Sequence, residues 1–439
     1  MVSSKTIAAL AVVVILIASA VGYVFISGDN DAPDDDGLLR DAAGNELKPA
    51  YNYDKIVTVG VGALRWVSYF GLSDHVVSVD MGDVNPASWS GKGYRSLLSD
   101  EANKAAEGAN SASKDPLHSD YVNYGISAHD HNNFSTSNLE VMKQWPAEDK
   151  PTLFVIAHTV YQGLTKELIT GITASFGLAA DIVVINEVDS FVNSDLTLSK
   201  GFKDNLQILA HTFNAPARAE QLERGIFSLF ADLDSLIDGK TPKYASAYIG
   251  GVALSGAKEL SSTVGDYLPF KLAKITNSYP GTNTTAIDLG SEAMSKVDDP
   301  DIIFIDYTSL GPQMDKKGSI SVCNYADKYD IHAYVLLPYY WFGYNFDNAI
   351  ANAYLLIYYC YDDALTYEET MQRIAASYEL FLPEISNKSS IIAEETYNGG
   401  EVIIPNMVHN YYSKQKYSLE LGAEYDIDVN NDVITFKKV

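Results

Sequence analysis

Residues Ala215 to Asp238 read APARAEQLERGIFSLFADLDSLID, and the periodicity of this stretch decides the architecture. Leu222, Ile226, Leu229, Phe230, Leu233 and Ile237 recur at helical spacing and make one apolar stripe. Asn214 is a suitable N-cap. Pro216 sits just inside the start, where its missing N–H is no loss, and Gly239 is a natural stop. Such a helix spans ~35 Å at about 1.5 Å per residue. Short β-rich strands alternate with helical segments on both sides of it. The helix therefore reads as a spine joining two α/β lobes. The simpler alternative is a crossover helix within one larger domain.

The chain has 439 residues, enough for more than one packed core. Its net charge of −26 excludes a nucleic-acid binder, which needs clustered Lys and Arg, and suits a solvated outer surface. Thirty Tyr and four Trp supply rings that bind planar or amphipathic ligands or fill cores. The two cysteines, Cys323 and Cys360, have neither CxxC nor zinc spacing. They pair only if their Cα atoms lie within ~7 Å, and buried free thiols are the preferred reading.

At the N-terminus, Lys5 precedes an almost unbroken apolar run from Ile7 to Ile26, which reaches the ~20 residues a bilayer core requires. Ala18-Ser19-Ala20 also fits a cleaved secretory signal, but the run continues past it, which favours an uncleaved anchor. Either reading places the rest of the chain outside the cytoplasm. The expected plan is a signal or anchor over 1–28, an acidic tether over 29–37, a first lobe over 38–213, the linking helix over 214–240, a second lobe over 241–383 and an appendage over 384–439.

In the first lobe, Leu38 to Pro49 suggests a hairpin, and strands are expected at Lys55–Gly60, His75–Asp80, Leu153–Ala157 and Asp181–Asn186. Helices are expected at Gly62–Phe70, Asn138–Trp145 and Gln162–Phe176, with a long loop from Met81 to Ser137. In the second lobe, strands are expected at Tyr244–Ile249, Ile302–Asp306 and Ala333–Leu337. Helices are expected at Asp266–Ile275, interrupted by Pro269, at Asp288–Val297, at Asn345–Tyr361 with Asn345 as cap, and at Tyr367–Phe381. The tail carries β-like alternation at Glu401–Pro405 and Asp432–Lys438. Near-continuous apolar strands between helices imply parallel sheets covered on both faces, with a cleft between the lobes.

Ligands of open parallel sheets sit beyond the carboxyl ends of the strands. That rule selects Arg65, Trp66, Tyr94, Arg95, His158 and Tyr161 in the first lobe. In the second it selects Lys258, Tyr307 and the run Pro338 to Tyr344, PYYWFGY, the densest aromatic cluster in the chain. Tyr339, Tyr340, Trp341 and Tyr344 either stack on a planar or chelated ligand or pack a seam between the lobes. Arg65 and Arg95 suit a bidentate grip on an anion. His129, Asp130, His131 and His158 are weak candidates for Zn²⁺ or Mn²⁺. No nucleophile elbow, zinc-protease helix, P-loop or dinucleotide fingerprint occurs, so no catalytic residue is assigned. The glycosylation-type triplets at Asn133, Asn283 and Asn387 are compatible with export.

Several pieces, in order, resemble the substrate-binding proteins of ABC importers for iron–siderophore complexes, haem and cobalamin. They are RDAAGNELKPAYNYDKIVTVGVGALRWVSYFGLSDHVVSVD (40–80), NLEVMKQWPAEDKPTLFVIA (138–157), STVGDYLPFKLAK (262–274), SEAMSKVDDPDIIFID (291–306) and LPYYWFGYNFDNAIANAYLLIYY (337–359). The last has the form seen in archaeal members. The resemblance covers roughly residues 38 to 383. It implies two α/β lobes on one long helix, small hinge motion, a metal chelate in the cleft with no intrinsic cofactor, Tyr267 among the ligand contacts, and docking on a membrane permease. The lipobox cysteine is missing, and the 81–137 loop and the tail depart from the pattern. Two other functions stay open: a divalent-metal binder built on His158 and the His129–His131 loop, and an anchored surface protein using the aromatic run as an interaction face.

Overall fold

The computed structural model describes residues 38–60, 62–79, 152–158, 166–175, 177, 179–188, 190–253, 258, 260–279, 281–290, 297, 300–306, 333–340, 344–384, 425–430 and 433–438. The N-terminal apolar segment, the tether, the 81–137 loop, Cys323, the helix expected at 138–145 and residues 291–296 of the helix expected at Asp288–Val297 lie outside the described residues, as does the strand expected at 401–405; Asp288 itself ends a short strand. No helix among the described residues is long and apolar enough to cross a membrane.

The first sheet is built from β1 (Ile56–Val59), β2 (Val76–Ser78), β3 (Thr152–Ala157) and β4 (Ala180–Ile185), all parallel, in the order β2-β1-β3-β4. Every residue of β1 and β3 is buried, because helices cover both faces. The covering elements include α1 (Ala63–Tyr69), α2 (Lys166–Ser175) and α3 (Lys200–Thr212). The hairpin expected at Leu38–Pro49 is present as a single antiparallel bridge, Arg40 to Glu46. The buried carboxylate of Asp41 sews it to β4 by accepting from Val184 N at 3.1 Å and from Asn45 N at 2.8 Å.

The spine is α4 (Pro216–Ile237), with Pro216 in its first turn and Gly239 past its end at φ 67°. Leu222, Ile226, Leu233 and Ile237 are fully buried along it, and Leu229 and Phe230 are half-buried. Asn214 does not cap it. Ala215 holds the N-cap position, and Asn214 (φ 52°) adopts the left-handed turn that ends α3. Gly225 lets the side chain of Leu380 approach where α4 meets the last helix of the second lobe; a Cβ there would lie 2.4 Å from Leu380 Cδ1, so that side chain would have to shift.

The second lobe repeats the first. Its parallel strands β5 (Ser246–Gly250), β7 (Thr276–Asn277), β9 (Ile302–Asp306) and β10 (Ala333–Leu336) are ordered β7-β5-β9-β10, the same winding as β2-β1-β3-β4. Short strands β6 (Ser262–Thr263) and β8 (Ile287–Asp288) form a separate ribbon. Helix α5 (Leu268–Leu272) is started rather than interrupted by Pro269, which sits in its first turn. Helices α6 (Phe346–Cys360) and α7 (Tyr367–Phe381) complete the lobe. Thr366 and Glu369 form a reciprocal capping box at the start of α7. The tail joins this sheet: β11 (Tyr425–Asn430) pairs antiparallel with β10 at Ala333, and β12 (Val433–Lys438) folds back on β11. Cys360 is buried as a free thiol, and burial pushes its pKa up to about 12.

One device recurs in both lobes. On α3, the buried Asn205 amide accepts from Asn186 N at 2.7 Å and donates to Asn186 O at 2.9 Å. On α6, Asn352 accepts from Leu337 N at 2.8 Å and donates to Leu337 O at 2.8 Å. Asn186 and Leu337 are the residues that follow β4 and β10. Each amide thus satisfies both backbone groups of a residue leaving the sheet, half-buried at Asn186 and fully buried at Leu337, where no strand supplies their partners. Asn352→Leu strands a buried N–H and C=O, and is expected to cost about 1–3 kcal/mol for each group. The urea midpoint checks this, and an unchanged midpoint would refute the role given to the amide.

Candidate ligand-binding site

Two left-handed glycines, Gly60 (φ 88°) and Gly62 (φ 89°), turn the chain from β1 into α1. The turn carries Arg65, Trp66 and Tyr69 from the carboxyl edge of the first sheet toward the second lobe. In the second lobe, β10 ends in Pro338-Tyr339-Tyr340, and Asn345 leads into α6. The start of α6 faces α1. Arg65 Nη2 donates to Asn345 Oδ1 at 3.0 Å, and Tyr69 Oη donates to Asp347 Oδ1 at 3.2 Å. The Arg65 guanidinium also lies 5.7 Å from the centre of the Phe346 ring. All of these residues are buried. Trp66 packs between Phe202 and Phe346, with ring centres 5.0 and 6.3 Å away, so the lobes share one apolar core at this point.

Asn345 occupies the N-cap position of α6, but its side chain does not cap the helix. It accepts from Arg65 and donates to the carbonyls of Pro338 and Tyr339 at 3.2 and 3.3 Å. Asn348 donates to Pro338 O at 2.7 Å and accepts from the Tyr378 hydroxyl. Asn345, Asn348 and Asn352 share one face of an otherwise apolar helix, and that spacing is the sequence signal for this polar seam. The functional reading of the sequence did not use it, nor did it single out Asp347, Tyr69 or Arg218.

Tyr267, Tyr339, Tyr340 and Tyr344 come together as one block at the carboxyl edge of the second sheet. Tyr339 and Tyr340 have ring centres 4.5 Å apart, Tyr340 and Tyr344 5.0 Å, and Tyr267 and Tyr339 6.1 Å. All four are buried. Burial is the main reason that the hydroxyls of Tyr267, Tyr339 and Tyr340 titrate above the ordinary range, so they stay protonated. Asn352 Nδ2 donates to Tyr267 Oη at 3.2 Å. Asp306, at the end of β9, is buried beside this block and raises the Tyr267 pKa further. Of the other sequence-predicted residues, His158 lies half-buried at the carboxyl end of β3. Lys258 is exposed beyond β5. Tyr94, Arg95, Tyr161, Tyr307, Trp341, His129 and His131 lie outside the described residues. No cluster of metal-ligating side chains occurs among the described residues. A depression of about 230 Å³ lies away from the seam, between the N-terminal hairpin and α3, lined by residues that include Arg40, Asn186 and Asp204.

The seam is closed on its inner side by the spine. Arg218 donates through Nε to Tyr69 O at 2.7 Å, and through Nη2 to Leu380 O at 2.5 Å and Phe381 O at 3.2 Å. These are the last carbonyls of α1, from the first lobe, and of α7, from the second. Burial lowers the guanidinium pKa to about 10, which leaves it charged at neutral pH. Asp232, further along α4, accepts from Tyr354 Oη and Arg373 Nε, both at 2.9 Å, and fixes the second lobe to the spine.

No protein-family model and no curated protein matches the chain. Solved structures do. A periplasmic solute binding protein from Veillonella parvula superposes with a TM-score of 0.52 at 14% identity, over 85% of this chain and 98% of that one. An ABC transporter solute binding protein from Sulfurospirillum deleyianum gives 0.47 at 13% identity, over 82% and 97%. The TroA-like periplasmic binding protein FepB from Veillonella parvula gives 0.45 at 11% identity, over 79% and 96%. The chain thus has the α/β fold of the class III periplasmic solute-binding proteins, with two parallel sheets, covering helices and a single long linking helix.

Arg218→Lys keeps the charge but cannot reach the ends of two helices with one ammonium. Loss of hydrogen bonds from a charged donor is worth about 1.5–3 kcal/mol each, and a loss of at least one such bond is expected in the denaturant midpoint. A variant as stable as wild type would show that the guanidinium does not hold the lobes.

Proposed function

We propose that the chain is the extracytoplasmic solute-binding component of an ABC importer. Its cargo is an iron(III) chelate of the siderophore type or a related tetrapyrrole or corrinoid, which it hands to a permease in the membrane. The observation that carries this reading is that Arg65 reaches across to Asn345, which is bonded to Tyr339 in the block of Tyr267, Tyr339, Tyr340 and Tyr344. These groups stand at facing carboxyl edges of two parallel sheets, the edge at which such folds bind ligands. Aromatic faces suit a large planar or chelated ligand, and a guanidinium suits its anionic oxygens. His158, at the carboxyl end of β3, and Tyr94, Arg95, Tyr161, Tyr307 and Trp341, chosen by their order in the sequence, complete the proposed contact set. The N-terminal apolar run supplies export and attachment, and the fold shared with the Veillonella solute-binding protein supports a binding rather than a catalytic role.

A ligand that binds only the folded state stabilises it by RT ln(1 + [L]/Kd), about 2.7 kcal/mol at roughly a hundredfold excess over Kd. Thermal unfolding of the full chain in detergent, with ferric siderophores, haem, cobalamin, Zn²⁺ and Mn²⁺, is expected to show a clear rise with one chelate. Trp341→Ala is expected to weaken that rise while leaving the ligand-free transition in place. A rise with bare Zn²⁺ or Mn²⁺ alone would replace the chelate with a metal ion. No rise with any of the chelates would remove the cargo assignment.

A further inference from the structure

The seam contains a buried carboxylate that the binding reading does not use. Asp347 stands in the first turn of α6 and is fully buried. Its Oδ1 accepts from Tyr69 of the other lobe, whereas its Oδ2 has no hydrogen-bond partner among the described residues. The titratable or charged groups that face it there are Arg65 and Tyr69 from α1 and Tyr378 from α7. The contact lies where motion would begin. Tyr69 is the residue whose carbonyl Arg218 holds on the spine, and Arg65–Asn345 lies one helical turn farther out on α1.

We propose that Asp347 is a proton-operated catch between the two lobes. Protonated, it lets the seam shut. Ionised, it draws water to its second oxygen and loosens the Arg65–Asn345 contact.

The sign follows from the environment. Burial pushes the Asp347 carboxyl up to about 6, and Arg65 and the Tyr69 hydroxyl pull it only partly back. A shut seam therefore binds the proton more tightly than an opened, hydrated one. Closure is most favoured in mild acid, weakens as pH rises through about 6, and changes little above that. The inference does not depend on which solute is carried. It stands or falls without added ligand, so its failure is distinguishable from failure of the transport reading.

The test is an interlobe distance measured by paired spin labels on the full-length protein. Asn52→Cys on the first lobe and Thr284→Cys on the second are exposed positions, introduced with Cys323→Ser; Cys360 is buried and does not label. Between about pH 5 and about pH 7.5, the wild-type distance distribution is expected to move to longer values, with a midpoint near pH 6. Asp347→Asn keeps the short distance at both pH values. Tyr69→Phe removes a donor to the ionised form, so it moves the midpoint to higher pH, a shift that simple loss of packing would not produce. A wild-type distance independent of pH would overturn the proposal. So would an unchanged pH response in Asp347→Asn, or a Tyr69→Phe midpoint that stays at the wild-type value.

Discussion

The arrangement of the two lobes depends on one guanidinium. The last turn of any α-helix leaves carbonyls without partners and carries partial negative charge. Here two such ends, one from each lobe, meet at Arg218 on the spine. A planar fork with several donors satisfies both at once, which a hydroxyl or a single ammonium cannot do. Since both ends bind the same rigid group, α1 and α7 have a fixed spacing at the base of the molecule. Ser73 N, which donates to Glu384 Oε2 at 3.1 Å just past those helices, strengthens the same junction.

This constraint dictates what the seam must contain. Holding α1 against the start of α6 buries the ends of two helices and the polar groups that follow two strands. Each has to find a partner across the gap or within its own lobe. Asn345, Asn348 and Asn352 meet that need along one face of α6, because an amide offers both a donor and an acceptor. Asn205 does the same for the first lobe. Both lobes use the same strand order and the same amide solution, so the second lobe is a structural repeat of the first. They diverge at the carboxyl edge, which is filled by tyrosines in the second lobe, and at β10, where the tail adds β11 and β12.

Much of this architecture was legible. The stripe on α4, the apolar strands and the helix at α7 are local, so periodicity and short spacings reveal them. Helix α3 was not foreseen, because Lys200, Lys203, Asp204, Asn205 and Gln207 dilute its apolar stripe. Asn214 and Asn345 were assigned as caps on propensity alone, yet one closes the preceding helix and the other bonds across the seam. Residue types at the strand ends brought Arg65, Trp66 and the tyrosines into view. Which partner each takes was not readable. Arg65 and Asn345 are 280 residues apart, and only the packing of two lobes on one helix brings them together.

If the cargo is the proposed iron chelate, the chemistry of the tyrosine block limits how it is held. Its rings are packed on one another, and burial keeps the hydroxyls of Tyr267, Tyr339 and Tyr340 protonated through neutral pH. A neutral phenol donates a hydrogen bond and presents a ring face; it is a poor ligand for ferric ion, which binds phenolate. The block is therefore suited to recognising the organic shell of a chelate rather than to displacing it from the metal. Such recognition needs ring faces to come free. The seam's base is clamped by Arg218 and filled by Trp66, Phe202 and Phe346, so that freedom has to come from the outer end of the seam. Any rotation about the spine displaces that end most, because displacement grows with distance from the clamp.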